Sequence, residues 1–121
     1  ELSEELKQKV FINEREKNPI RCRICKNKIT TLEHMMEMSG QHRHTFKNPS
    51  GIVFEIGCFT AASGCITLGT PTLDFTWFSG YAWNLALCSQ CFGHLGWFYQ
   101  SGDSSFFGLI LENLIEESTT H

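Results

Sequence analysis

The sequence predicts an all-β domain built from two packed antiparallel sheets, and three observations carry that prediction. Its apolar and alternating runs are short, about four to eight residues, which suits strands and not helices. Turn signals punctuate them at Ser39-Gly40, Asn48-Pro49-Ser50-Gly51, Gly69-Thr70-Pro71-Thr72 and Ser79-Gly80. Two CxxC pairs, Cys22/Cys25 and Cys88/Cys91, have 62 residues between them and offer a staple to a core too small to be secure alone.

At 121 residues the chain is one domain by length. A hydrophobic share of 41% against 19% charged residues describes a folded globular protein. The net charge is −3, and four thiolates on one zinc ion take it to about −5. Such a surface repels a phosphate backbone, so nucleic acid is excluded as the expected partner. No apolar run reaches the roughly 18 residues of a membrane span, and residues 1–19 lack the basic-then-apolar order of a leader. The expectation is a cytoplasmic protein with reduced thiols and no membrane partner.

Taken in order, residues 1–19 read as a linker or frayed helix, with Leu2, Leu6 and Val10 at helical spacing and Asn18-Pro19 closing it. The domain proper is expected over 20–116, with a tail at 117–121. Arg21 to Cys25 leads into the first CxxC turn. Residues 29–38 fit strand or short helix equally. Gln41 to Phe46 alternates as a strand, which would set His42 and His44 on one face. Ile52 to Phe59 is the clearest strand, with Ile52, Phe54, Ile56 and Cys58 together. Ile66 to Leu68, Ala82 to Leu87, Leu95 to Tyr99 and Phe106 to Leu111 complete the strands. Gly69 to Thr72 and Ser101 to Ser105 are expected as loops, and Leu111 to Ile115 as a final helical turn.

Doubled CxxC points to one zinc ion held by Cys22, Cys25, Cys88 and Cys91, because each tight turn presents two thiolates and tetrahedral zinc takes four. Two disulfides or free thiols are the alternatives. Cys58 and Cys65 fall outside the pattern; Cys58 reads as a small buried hydrophobe, with no neighbouring cation to activate it. His42 and His44 read as packing residues, since four cysteines already complete a site, and His94 as support for the second CxxC loop.

The segment Asp74 to Tyr99 holds all three tryptophans, Trp77, Trp83 and Trp97. If the strands on either side of the second CxxC pair, Trp83, Trp97 and Tyr99 share one face of the sheet. Three indoles and a phenol there would grip a small flat or compact ligand.

These motifs in this order resemble the thalidomide-binding (CULT) domain of cereblon: CxxC, the NPxG of Asn48 to Gly51, the WFxGYAW of Trp77 to Trp83, the CxxCxxHLGW of Cys88 to Trp97, and the FFGL of Phe106 to Leu109. The likeness runs from about Ile20 to Leu111. With no room for the Lon-like domain of eukaryotic members, it is nearest to the single-domain bacterial homologues. The resemblance implies two sheets crossing near a right angle (a β-tent), pinned at one end by zinc on the four cysteines. It implies a ligand cage walled by Trp77, Trp83 and Trp97, closed by Tyr99 and joined by Asn48. Eukaryotic members carry histidine two residues before the first cage tryptophan, and here that residue is Phe75, whose backbone alone would meet the ligand.

The expected function is a non-catalytic binding module for a cyclic imide, either free or at the C-terminus of a damaged peptide, or for a uracil-like ring. An aromatic cage for a methylated ammonium is an alternative, with Asp74 and Glu55 as candidate counter-charges. A zinc-pinned methionine sulfoxide reductase is another, and would need Cys58 or Cys65 as its reactive thiol. Nothing in the residues identifies a ubiquitin-ligase partner.

Overall fold

A computed structural model describes residues 18–117. The expected N-terminal linker or helix therefore falls outside the described residues up to residue 17, as does the tail beyond Glu117. Among the described residues the chain runs β1 (Pro19–Cys22), β2 (Lys28–Thr31), a 3-10 turn (Leu32–His34), β3 (Arg43–Lys47), β4 (Val53–Phe59), β5 (Cys65–Thr72), β6 (Ala82–Cys88), β7 (His94–Ser101), β8 (Ser104–Ile110), a second 3-10 turn (Leu111–Asn113) and β9 (Leu114–Glu116). The fold is all-β, as the turn spacing predicts.

Two antiparallel sheets form. The smaller has the order β2-β1-β9 and the larger β3-β4-β8-β7-β6-β5. One core joins them: Ile20, Cys22, Ile29 and Leu114 of the small sheet meet Phe59, Ala86, Cys88, Leu95 and Leu109 of the large one. A second, aromatic core lies around Ile56, Cys58, Phe78, Trp97, Tyr99, Phe106 and Ile110. Alternation along β4 explains the split, since Phe54, Ile56 and Cys58 serve the aromatic core while Phe59 serves the other.

Four local expectations need correction. Gly69 to Thr72 is not a free loop but the far half of β5, where the register shifts between Leu68 and Thr72. Gly69, at φ +97°, supplies the bulge, and an edge strand tolerates Pro71 because its outer N–H has no ladder partner to lose. The helical turn stops at Asn113, and Leu114 to Glu116 pairs with β1 as a strand that local sequence does not announce. Ile52 is exposed and precedes β4. Finally, His42 and His44 diverge. His42 stands edge-on to Phe59 at 5.2 Å, whereas His44 stacks on Phe46 at 5.6 Å and meets Phe78 edge-on. His42 lies before β3 begins, so strand alternation does not govern it.

Two glycines fix the approach of the central strands. A Cβ on Gly96, which sits at φ +154°, would collide with the Gly108 carbonyl, and one on Gly108 would press on the Tyr99 ring. Strands β7 and β8 can therefore close only with glycine at position 96, while a side chain at position 108 would have to displace the Tyr99 ring and the Ile56 side chain by a few tenths of an ångström.

Candidate functional site: a four-cysteine cluster and an aromatic cavity

The two CxxC turns are near-copies of one another. Cys22 N–H donates to Asn27 O at 2.8 Å and Cys88 N–H to Gly93 O at 2.9 Å. Lys26 N–H closes the first turn on Cys22 O at 2.8 Å, and Phe92 N–H closes the second on Cys88 O at 2.9 Å. The residue following each second cysteine sits in the left-handed region, Lys26 at φ 70° and Phe92 at φ 62°. Neither is glycine, so each knuckle carries backbone strain on the order of 1 kcal/mol.

These turns bring all four sulfurs within 4.8 Å of one another. Cys22 and Cys91 sulfurs are 3.7 Å apart, and Cys25 and Cys88 sulfurs 3.5 Å. Both separations exceed the roughly 2.05 Å of a disulfide. They approach the ~3.8 Å edge of a tetrahedron with metal–sulfur bonds of about 2.3 Å. Burial raises the Cys88 thiol, but the amides of Cys91 and Gln90 and the neighbouring thiols outweigh it, and its pKa falls to about 6. The Gly93 amide lowers Cys91, yet burial and its three thiol neighbours carry it up to about 11. One thiolate forms readily and suppresses ionisation of the next, which a divalent ion would reverse. The cluster is suited to a structural metal ion.

Asn27 is a contributor that the CxxC pattern alone does not reveal. Its Nδ2 donates to the Cys88 sulfur at 3.7 Å and to Ser89 Oγ at 3.4 Å, tying the first knuckle to the second. Its position one residue beyond the strained Lys26, matching Gly93 in the other knuckle, is the signal that would have found it.

At the other end, Asn48, Pro49, Phe75, Trp77, Trp83, Trp97 and Tyr99 line one cavity of about 240 Å³. All six cage residues expected from the sequence meet there, and Pro49 joins them. The register of β6 and β7 explains the gathering. Trp83 lies opposite Tyr99 and Leu85 opposite Trp97, so alternation sends Trp83, Trp97 and Tyr99 to the same face.

Burial orders the cavity from floor to mouth. Tyr99 and Trp97 are buried, Trp77, Trp83 and Asn48 half-buried, and Pro49 and Phe75 exposed. Each indole is held by a different device. Trp77 stacks on Phe46 at 4.9 Å with planes 13° apart. Trp97 is braced edge-on by Phe54 at 5.3 Å, by His94 at 5.0 Å and by Trp77 at 4.9 Å. Trp83 donates from Nε1 to Asp74 O at 2.8 Å. Phe46 and Phe54 face each other across the β3–β4 hairpin, so the Asn48-to-Gly51 turn signal contained their pairing implicitly.

The loop from Leu73 to Tyr81 is knotted by Thr76, whose hydroxyl donates to Tyr81 O at 2.6 Å and lies 3.4 Å from Phe78 N. Thr76 N–H returns to Leu73 O at 3.2 Å, and Phe75 is thrown into the left-handed region at φ 58°. Among the described residues no hydrogen bond reaches the Phe75 carbonyl or the Trp77 amide. The Asn48 side chain accepts from Ile52 N–H through Oδ1 at 2.9 Å, and no hydrogen bond among the described residues reaches its Nδ2. Burial pushes the Tyr99 phenol above its ordinary range, so the floor stays neutral at physiological pH.

The remaining candidates part from these sites. Glu55 is engaged by Arg43 at 3.2 Å on the outer face of β4, and neither it nor Asp74 lines the cavity. Cys58 is wholly buried with its thiol raised to about 11, and burial together with Cys88 and Cys22 raises Cys65 to about 12. Neither presents a thiolate at neutral pH.

The chain is 31% identical over 96 residues to protein cereblon of Drosophila melanogaster, covering 73% of this chain and 16% of that protein. It is 32% identical over 98 residues to protein cereblon of Drosophila willistoni, with the same shares. The chain belongs to the cereblon-like (CULT) domain family. No family model matches it. It spans 16% of the length of these two relatives, so kinship applies to the domain and not to everything those proteins do. No helix among the described residues is long and apolar enough to cross a membrane.

Proposed function

We propose that the domain is a non-catalytic binding module whose aromatic cavity takes a small cyclic imide, free or at the C-terminus of a peptide, with a uracil-like ring as a chemical equivalent. The observation that carries this reading is the pair of unpartnered backbone groups beside three indole walls. A cyclic imide offers one N–H flanked by two carbonyls on a compact ring. Its N–H matches the Phe75 carbonyl, and its carbonyls match the Trp77 amide and Asn48 Nδ2. The cavity volume of about 240 Å³ lies below the roughly 300–1,000 Å³ of drug-sized sites, which favours a single ring. Polar groups buried by the ligand must each be paired, so ring analogues without the N–H are rejected.

We assign zinc to the four cysteines. Four thiolates at tetrahedral spacing suit its preference, and one closed site pins β1 and β2 to β6 and β7 without taking part in ligand chemistry. The domain is assigned to residues 20–116 and its location to the cytoplasm, where thiols stay reduced.

The absence of a carboxylate from the cavity lining argues against a methylated-ammonium cage, and the raised thiols of Cys58 and Cys65 argue against a reductase. A competition experiment decides. Calorimetric titration of the metal-loaded protein with glutarimide should give one saturable site, and trimethyl-lysine should not displace it. Displacement by trimethyl-lysine, or equal affinity for N-methylglutarimide, would contradict the imide reading.

A further inference from the structure

We propose that Asn84 is a positioning residue for the aromatic cavity: from the opposite face of β6 it holds the β5 bulge, and so fixes the register that sets the Asp74 carbonyl on the Trp83 indole. Its effect on binding rests on the imide reading of the cavity; its effect on register does not. Asn84 follows Trp83 along β6, so strand alternation turns it away from the cavity, and it does not line it. There it is 8% exposed, its Nδ2 donates to Gly69 O at 3.1 Å, and its Oδ1 has no hydrogen-bond partner among the described residues. An apolar side chain would suit that burial better, so what the amide adds is its donor.

The donor acts where the register is decided. Leu68 lies opposite Leu85 and Thr72 opposite Trp83, so Gly69, Thr70 and Pro71 stand against Asn84 alone. Regular pairing without the bulge would set Thr70 opposite Trp83 and slide everything after it by two residues, about 7 Å. Alternation does not forbid that slip. Two residues make a full strand period, so every side chain keeps its face and burial is served by both registers. Gly69, at φ +97°, permits the bulge, but glycine takes regular strand geometry as readily. The Asn84 bond separates the two. In a regular ladder the Gly69 carbonyl lies in the plane of the sheet, while side chains stand perpendicular to it. Only a bulged peptide turns that carbonyl onto the face where Asn84 meets it. From there the register reaches the cavity. Thr72 Oγ1 accepts from Asp74 N–H at 3.1 Å, Asp74 O accepts from Trp83 Nε1 at 2.8 Å, and Phe75 and Trp77 follow in the cavity wall.

Asn84→Leu, similar in volume and without a donor, tests the proposal by nuclear magnetic resonance and calorimetry. It should keep its metal and its circular dichroism spectrum, while the cross-strand Overhauser contact of Trp83 moves from Thr72 to Thr70. The Trp83 indole N–H should lose its protection from exchange, and glutarimide affinity should fall about 10-fold or more. Deleting Thr70 and Pro71 in the same variant sets Thr72 opposite Trp83 without a bulge, and should restore both. Asn84→Leu with its Thr72 contact intact overturns the proposal, and so does a slipped register with undiminished affinity. Loss of metal or of the folded state also overturns it, by making the amide a requirement of the fold and not of the register. A combined variant that holds metal but stays slipped does the same. A wild type that binds no glutarimide contradicts the imide reading alone, and the Overhauser contacts still decide the register.

Discussion

The cysteine end and the cavity end of this domain share the stretch from Asp74 to Tyr99, yet they differ in how they use their polar groups. At the cysteine end the backbone groups of one knuckle are answered by those of its own turn, and Asn27 bonds across to the second sulfur pair. At the cavity end the Phe75 carbonyl, the Trp77 amide and Asn48 Nδ2, all on lining residues, have no hydrogen-bond partner among the described residues. A closed polar set holds a fold together; an open set beside apolar walls selects something from outside. The strained residues follow the same division. Lys26 and Phe92 close the two cysteine turns, while Phe75 lies in a loop that lines the cavity.

Disrupting the cysteine end should have the largest effect. Cys88→Ser removes the most buried thiolate of the cluster, and it should abolish stoichiometric metal and unfold the domain, since metal binding and folding are one event in such sites. Metal content by atomic emission, together with far-ultraviolet circular dichroism, checks this; a folded, metal-free variant would break the comparison. Trp83→Ala, at the other end, should weaken imide binding by about 30-fold or more, a hot-spot loss of about 2 kcal/mol. Metal content and the melting temperature should change little by contrast. Loss of metal in that variant would show that the two ends are not separate.

An intermediate effect is expected from pH. The Cys58 thiol stands at about 11 in the fold against a reference of 9.0. Its contribution to stability is complete below about pH 9 and is lost as pH rises toward 11, because the unfolded chain ionises first and binds fewer protons. Melting temperature should therefore fall between pH 9 and 11, and Cys58→Ala should flatten that slope. The same substitution should lower the melting temperature at pH 7 only modestly, as a small cavity. The smallest effect is expected from Lys26→Gly, which relieves a left-handed residue and should stabilise by about 0.5–1 kcal/mol, read as a rise in melting temperature with metal bound. A destabilised Lys26→Gly would show that the Lys26 side chain, whose Nζ donates to Arg23 O at 2.9 Å, matters more than the strain.

Much of this was legible in the sequence, for reasons that differ between the two ends. The cysteine cluster was readable because ligand spacing is local: each CxxC makes its own turn, and only the meeting of the turns is long-range. The placement of Trp83, Trp97 and Tyr99 followed from strand alternation across one hairpin. What escaped was set by tertiary pairing. Strand β9 exists because β1 offers an edge to Leu114 and its neighbours, not because three residues have strong β preference. Thr70 and Pro71 look like a loop, yet Gly69 bulges the chain and lets pairing resume at Thr72. His42 leaves the face of His44 because it precedes β3 and its alternation. Asn27, Phe46 and Phe54 act on the sites through space, and their only local marks are indirect: the place of Asn27 just past the first CxxC turn, and the Asn48-to-Gly51 turn that pairs Phe46 with Phe54.

The central claim is that the open polar set and the indole walls form one ligand site, independent of the metal cluster that holds the fold. Titrating glutarimide into the metal-loaded protein while following tryptophan fluorescence tests it most directly. Saturable quenching with one site per chain, weakened by about 30-fold or more in Trp83→Ala at unchanged metal content, is the predicted result. No saturable change into the millimolar range, or undiminished affinity in Trp83→Ala, would contradict it.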